Sequence, residues 1–303
     1  MRGVTPIILI GMNRSGTKWV SNILCSHEEV IGAQSERSTG SLETNMFGAM
    51  QDRFDLSDPV EYVGFLELWA KTELFRRTNV AKEMFYKLSP RPRSFLTLFD
   101  LLMSEFARKN GKAYWLQKTS PNRAVAVLKH FENARVVIVR RNLIDTLKST
   151  WGRQVTRDGA RKIFGSTYAY VRQRKIMDQI AKKYTVVRVD YEVFKTHTAS
   201  EVARICRELG LDPDKISTES AYAKNTSFRS ESQRESIMSS KERHFVRCAA
   251  AVINLLPLSV MSTWATLKAR IFGRRLTSLM PGSFGDLIDN LEDRSRGDNI
   301  GGS

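Results

Sequence analysis

Residues Ile7-Ile8-Leu9-Ile10-Gly11-Met12-Asn13-Arg14-Ser15-Gly16-Thr17-Lys18-Trp19 decide how this chain is read. An apolar run long enough for a short strand meets a glycine-punctuated turn, and Trp19, Ile23 and Leu24 then carry helical spacing as far as Ser26. A helix entered through small residues presents open backbone N–H groups and the positive end of its dipole, which suits a phosphate. Loops that hydrolyse nucleoside triphosphates read Gly, four residues, Gly, Lys and then Ser or Thr, so that the lysine reaches the outer phosphates and the hydroxyl holds Mg²⁺. Gly11 and Gly16 keep that spacing, but Thr17 stands in the lysine's place, Lys18 follows one position late and Trp19 replaces the metal-binding hydroxyl. The turn therefore reads as an anion cradle that needs no metal, with Arg14 adding a planar fork of donors.

Working outward, apolar runs alternate with helical patterns. A second strand is expected near Val30 to Ala33, a third at Ala113-Tyr114-Trp115-Leu116 that ends where the polar stretch Gln117-Lys118-Thr119-Ser120-Pro121-Asn122 begins, a fourth at Arg135 to Val139 and a fifth at Thr185 to Val189. The β-branched run Val136-Val137-Ile138-Val139 suits a strand covered on both faces, so the pattern predicts βαβ units, an α/β fold and a mainly parallel central sheet flanked by helices. Ligands of such sheets bind beyond the strand carboxyl ends. Residues 59–110 read as a helical insert, broken near Pro90 and Pro92.

A second basic cluster follows the fourth strand. In Arg140-Arg141-Asn142-Leu143-Ile144-Asp145-Thr146-Leu147-Lys148-Ser149, a helix starting near Asn142 would place Arg141 at its mouth and Ser149 two turns along, both toward the first loop. Two phosphate-type grips on one sheet edge suggest a ligand phosphorylated at both ends. The competing reading is an Asn142 cap beside two solvated arginines.

A length of 303 residues is ample for one large α/β domain with an appendage, and 42% hydrophobic with 26% charged residues is ordinary for a globular chain. A net charge of +16 calls for an acidic partner: a polyanionic small ligand, an anionic membrane surface or nucleic acid. Cys25, Cys206 and Cys248 form no CxxC pair and the four histidines have no ligand spacing, so neither zinc nor a disulfide framework is expected. With a first strand expected within a few residues of Met1, no leader is expected, and the thiols suit an expected cytoplasmic setting.

In order along the chain these residues resemble the PAPS-dependent sulfotransferases, PAPS being 3′-phosphoadenosine 5′-phosphosulfate, in their carbohydrate and tyrosylprotein-type branch. The resemblance runs over about three quarters of the chain, from Ile7 to around Arg229. Arg14-Ser15-Gly16-Thr17 with Trp19 is similar to the family's 5′-phosphosulfate loop, in which an aromatic can stack on adenine. Arg141 with Ser149 is similar to its 3′-phosphate site. Lys118-Thr119-Ser120-Pro121-Asn122 resembles the stretch that brings a catalytic lysine to the leaving oxygen, with Ser120 as a departure. Asp190-Tyr191-Glu192 followed by Ala203 to Leu211 resembles a Tyr-Glu segment and a Leu-Gly-Leu helix end. Further departures are Lys18 where a second threonine is common and Leu143 where a proline is frequent.

The resemblance implies a P-loop-like sulfotransferase fold and an enzyme moving a sulfuryl group from PAPS to an acceptor hydroxyl, without metal. It implies that Ser15, Gly16, Thr17 and Lys18 hold the 5′-phosphate, that Arg14 and Lys118 offset charge on the bridging oxygen, and that Arg141 and Ser149 grip the 3′-phosphate. Trp19 and Tyr191 join the donor site. Glu36 is expected as the general base, with Glu43 its rival and His27 assigned to a helix end. A saccharide or lipid-linked saccharide acceptor is expected; a P-loop kinase or NTPase, or a basic nucleic-acid-binding protein, are the alternatives. The sulfotransferase domain is expected over 1–245, with the helical insert over about 59–110 shaping the acceptor pocket, an apolar and basic helical segment over 246–280 and a loose tail over 281–303. Cys248 to Leu267 has no charge and is followed by Lys268, Arg270, Arg274 and Arg275. Packing on the domain is expected first, a peripheral membrane contact through 248–275 second and a span third.

Overall fold

The computed structural model describes residues 3–35, 42, 44, 54–90, 94–154, 163–217, 235 and 237–263. Strands β1 (Thr5–Gly11), β2 (Val30–Ile31), β3 (Tyr114–Thr119), β4 (Arg135–Arg140) and β5 (Val186–Asp190) form one sheet in the order β2-β3-β1-β4-β5, with every pairing parallel. Successive residues of a strand point to opposite faces. Accordingly Ile7, Leu9, Leu116, Val137 and Val139 pack against helices α1 (Thr17–Leu24) and, across the chain, α10 (Thr198–Glu208). Ile8, Ile10, Trp115, Val136 and Ile138 pack on the other face, against helices α5 (Phe95–Lys109), α6 (Pro121–His130) and α8 (Ile163–Lys183). The expected α/β sandwich is the observed one.

From β1 the chain runs out to β2, returns through β3 and then crosses β1 to reach β4. That reversal leaves a crevice at the carboxyl end of β1. The register fills it: Ile10 lies beside Thr119 and Ile138, Gly11 beside Val139, and Arg140 beside Asp190. Strand bounds shift from the sequence reading, most tellingly in β2 and β3. Strand β2 is cut to Val30–Ile31, because only Tyr114 and Trp115 pair with it. Strand β3 continues through Gln117, Lys118 and Thr119, which pair with Ile8, Leu9 and Ile10, so Lys118 belongs to the strand and not to the loop behind it.

The helical insert comprises α2 (Pro59–Ala70), α3 (Glu73–Thr78), α4 (Glu83–Tyr86) and α5. Its helix starts are written in side chains: Asp58 accepts from the N–H groups of Val60 and Glu61, Thr72 from Phe75 and Ser94 from Leu96. Each such cap contributes about 1 kcal/mol. Inside, Phe65 stacks on Trp69 with ring centroids 5.5 Å apart, and Trp69 meets Phe75 and Phe85 edge-on at 4.9 and 5.1 Å. These rings belong to the same buried cluster as Ile8 and Ile10, so the insert shares a core with the sheet.

Two further helices follow the basic cluster and the last strand: α7 (Leu143–Gln154) and α9 (Tyr191–Thr196). Helix α11 (Ser240–Leu255) starts with a reciprocal capping box between Ser239 and Glu242 and straddles the expected boundary at 245/246. It packs on α7 through Val246, against Leu147 and Trp151, while Ile253 enters the cluster that holds Met177 and Ile180 of α8. Lys175 of α8 donates to the carbonyls of Asn254 and Leu256 at 2.6 and 2.9 Å, closing the helix end. Leu256 is extended before Pro257, which stops the helix well inside the uncharged stretch. Among the described residues no helix is long and apolar enough to cross a membrane. Residues 264–303, with the rest of the basic segment and the expected tail, lie outside the described ones.

Candidate functional site

The turn after β1 is tightened by Ser15, whose hydroxyl and backbone N–H both donate to the carbonyl of Met12, at 2.7 and 3.1 Å. Arg14 and Gly16 both have positive φ, 70° and 94°. Gly16 is the cap residue of α1 and no side chain caps that helix, which leaves its first turn presented at the mouth of the loop. Small residues are required for two reasons. A Cβ on Gly11 would lie 2.3 Å from Cγ2 of Thr17 and 2.8 Å from Oγ of Ser15, while a Cβ on Gly16 would lie 2.2 Å from the Tyr191 ring.

Tyr191 reaches the loop because Asp190, at the end of β5, caps α9 by accepting from the N–H groups of Glu192 and Val193. Its ring meets Trp19 edge-on at 6.0 Å, and Trp19 in turn meets Phe194 at 4.9 Å. The guanidinium of Arg141 lies 4.6 Å from the centre of the same tyrosine ring, within cation–π range.

The second basic cluster divides at Arg140 and Arg141. Arg140 pairs with Asp178 of α8, whereas Arg141 turns to the first loop and donates to the carbonyl of Arg14 at 2.9 Å. Arg14 donates through Nε to Oγ of Ser149 at 3.0 Å. Residues 127 and 135 positions apart thus meet in one place. Asn142 does cap α7, accepting from the N–H of Asp145 at 2.8 Å, and its amide and backbone N–H both donate to Glu192 at 2.6 and 3.1 Å. Cap and basic grip are therefore parts of one construction. Tyr170 of α8 donates to the carbonyl of Arg141 at 2.6 Å, and burial pushes its phenol above the ordinary value, which keeps it a donor.

Lys118 is buried near the carboxyl end of β3. Ser120 and Pro121 open α6 as cap and first residue, and the amide oxygen of Asn122 accepts from Arg172 of α8 at 2.7 Å. Among the described residues the buried Nε of Arg141 has no hydrogen-bond partner. An orphaned buried donor costs about 1–3 kcal/mol, which an anion at this spot would offset. The residues present fit a phosphorylated ligand.

The structure thus brings together Arg14, Ser15, Gly16, Thr17, Trp19, Arg141, Ser149 and Tyr191, with Lys18 in the first turn of α1 and Lys118 on the neighbouring strand. Glu36 and Glu43 lie outside the described residues. His27 is buried, with Nε2 donating to the carbonyl of Asp212 and Nδ1 accepting from the N–H of Glu29, a satisfied tautomer behind the end of α1. Sequence reasoning passed over Tyr170 and Glu192 as supports of the Arg141 turn. The only signal was their position, one on a long helix and the other two residues beyond a strand.

This chain belongs to the sulfotransferase family, whose sequence model matches residues 6–215. It is a sulfotransferase enzyme, and the family implies PAPS as sulfuryl donor; membership decides against a nucleoside-triphosphate hydrolase or kinase. No curated protein is matched by sequence. Among solved structures, the sulfotransferase domain of the Synechococcus PCC 7002 olefin synthase superposes with a TM-score of 0.50 at 11% identity, over 83% of this chain and 95% of that one. The sulfotransferase domain from the curacin biosynthetic pathway gives 0.49 at 12% identity, over 82% and 98%. A sulfotransferase from Alicyclobacillus acidocaldarius gives 0.39 at 15% identity, over 86% and 99%. At 11% identity the first of these likenesses speaks for fold alone.

Proposed function

We propose that this enzyme transfers a sulfuryl group from PAPS to a hydroxyl of a saccharide or lipid-linked saccharide, by in-line displacement with a carboxylate as general base. PAPS, when bound, supplies the activated sulfuryl group. The observation that carries the reading is the meeting of Arg14, Arg141 and Ser149 at the mouth of α1, because it joins two anion grips into one elongated site.

Backbone N–H groups from Ser15 to Lys18 hold the 5′-phosphate, and Arg141 with Ser149 holds the 3′-phosphate. Arg14 and Lys118 offset negative charge at the bridging oxygen; charge-assisted donors of this kind are fixed before the reaction and do not have to reorganise. Trp19 offers a face for adenine, and Tyr191 pins Gly16 and Arg141 in place. Fixing a donor at both ends turns transfer into a matter of positioning, which can lower a barrier by about 7–11 kcal/mol. The remaining requirement is a proton acceptor for the attacking hydroxyl. Glu36 takes that proton as the oxygen–sulfur bond forms, with Glu43 as the competing assignment.

Donor recognition is tested by thermal shift: the desulfated product PAP should stabilise the protein, and ATP with Mg²⁺ should not. Stabilisation by ATP–Mg²⁺ alone would overturn the proposal. For the base, Glu36→Gln should lower turnover about 10²–10⁴-fold while PAP binding persists. A normal rate in Glu36→Gln with the loss appearing in Glu43→Gln transfers the role. Labelled-sulfate transfer across glycans, lipids, phenols and peptides identifies the acceptor, and a saccharide product is the expected outcome.

A further inference from the structure

Helix α11 has two apolar faces, and the body of the protein uses one. Val246 and Ile253 are 0% and 2% exposed and lie in the core, with Ala249 and Ala250 packed against it. On the other side Phe245, Val252 and Leu255 are 53%, 65% and 82% exposed. Phe245, Cys248, Val252 and Leu255 recur at helical spacing and so form one stripe, which Leu256 and Val260, also exposed, prolong past the helix end. Single exposed apolar residues are normal on a protein surface, but a continuous stripe marks a contact.

The charge around the stripe points to its occupant. From Arg243 to Thr263, the described run that carries the stripe, there is no acidic residue, while Arg243 and Arg247 both lie on α11. Lys241 precedes it at the helix start, and the whole chain carries a net charge of +16. A soluble polyanion would satisfy the cations and leave the apolar stripe in water. A second protein would satisfy the stripe without needing uninterrupted positive charge. An anionic bilayer satisfies both, taking the apolar face below its headgroups and the cations among them. The helix is too short and too polar on its flanks to cross, and it lies on the domain with one face already buried. We propose that the exposed face of α11 docks this enzyme on the surface of an anionic lipid membrane. The inference does not depend on the acceptor or the base.

The test is sedimentation of the full chain with vesicles of phosphatidylcholine alone or with about a third phosphatidylglycerol. The wild-type protein should pellet with the anionic vesicles, weakly with neutral ones, and less as salt rises, since surface potentials decay within a Debye length. Val252→Glu/Leu255→Glu should lower partition more than about tenfold, because it places charge in the apolar layer. Both positions are exposed, and retained PAP stabilisation reports that the variant is folded. Val252→Ser/Leu255→Ser, which adds no charge, should show an intermediate loss. Equal pelleting of wild type and both variants, or equal binding to neutral and anionic vesicles, would overturn the proposal. So would a lipid-free dimer that the glutamate variant dissociates, which would assign the stripe to a second copy. Retention on RNA without any vesicle binding would assign the charge to nucleic acid.

Discussion

The two flanks of β1 are built from different materials. Toward β4 and β5 the crevice is lined by polar groups set within a few residues of strand ends: Arg14 and Gly16 behind β1, Arg141 behind β4, Tyr191 behind β5, with Ser149 two turns into α7. Toward β2 and β3 lies the insert, where Phe65, Trp69, Phe75, Phe85 and Phe95 pack on one another and, among the described residues, no charged side chain is buried with them. The first flank is proposed to bind the donor and the second to shape the acceptor pocket. A donor common to a whole family can be met by fixed groups on rigid strand ends, whereas an acceptor pocket needs only a shape, held by apolar packing. The difference makes the flanks separable by mutation.

The largest effect should come from the insert. Phe65 is fully buried, stacks on Trp69 and meets Phe95 edge-on at 5.1 Å. Removing its ring leaves a cavity, and Phe65→Ala should cost about 3–5 kcal/mol of stability in urea unfolding. Affinity for PAP, corrected for the folded fraction, should stay within about twofold of wild type, since distant sites act independently. A matching loss of PAP affinity would break the division between the flanks, because the shared core would then be transmitting the damage.

An intermediate effect is expected at Gly16, on the donor flank. Alanine there would hold a left-handed backbone and drive its Cβ into the Tyr191 ring, 2.2 Å away. Gly16→Ala should therefore cost about 1–3 kcal/mol and weaken PAP binding. Adding Tyr191→Ala removes the collision but not the backbone strain, so the double variant should be more stable than the sum of the single losses predicts, by a coupling of about 0.5–3 kcal/mol. Strict additivity in thermal unfolding would show that Tyr191 does not pin the loop.

Legibility in the sequence follows the same division. The placement of the polar flank could be read because the strand-turn-helix grammar sets its groups at fixed offsets: Gly11 and Gly16 mark the turn, and Ser149 follows Arg141 by two helical turns. The register then did the rest, setting Gly11 beside Val139 so that loop and basic cluster share an edge. The extension of β3 through Lys118 was not legible, because Gln117-Lys118-Thr119 is polar and only pairing with Ile8, Leu9 and Ile10 makes it a strand. The short β2 was overread for the converse reason: apolar residues to Ala33 suit a strand, but β3 offers it only Tyr114 and Trp115. Glu192 as a clasp on Asn142 depends on a contact 50 residues apart and has no local signature. The insert announced its helices through periodicity, yet nothing in its aromatic spacing says what it would enclose. Helix α11 showed its uncharged stretch, but which residues face the core is decided by Trp151 and α8, and no linear pattern reveals that.

The smallest effect sharpens the comparison within the donor flank itself. The Ser149 hydroxyl accepts from Nε of Arg14 at 3.0 Å and stands beside the proposed 3′-phosphate grip. Ser149→Ala removes one neutral hydroxyl, worth about 0.5–1.5 kcal/mol, so PAP affinity measured by calorimetry should fall about two- to tenfold. Ser149→Thr keeps the hydroxyl and should restore most of it. The decisive control is adenosine 5′-phosphate, which lacks the 3′-phosphate: its weaker binding should be the same in wild type and Ser149→Ala. If both nucleotides lose affinity equally, Ser149 acts by holding Arg14 for the 5′ end. The two basic clusters would then serve one phosphate, and the elongated, two-ended donor site would have to be redrawn.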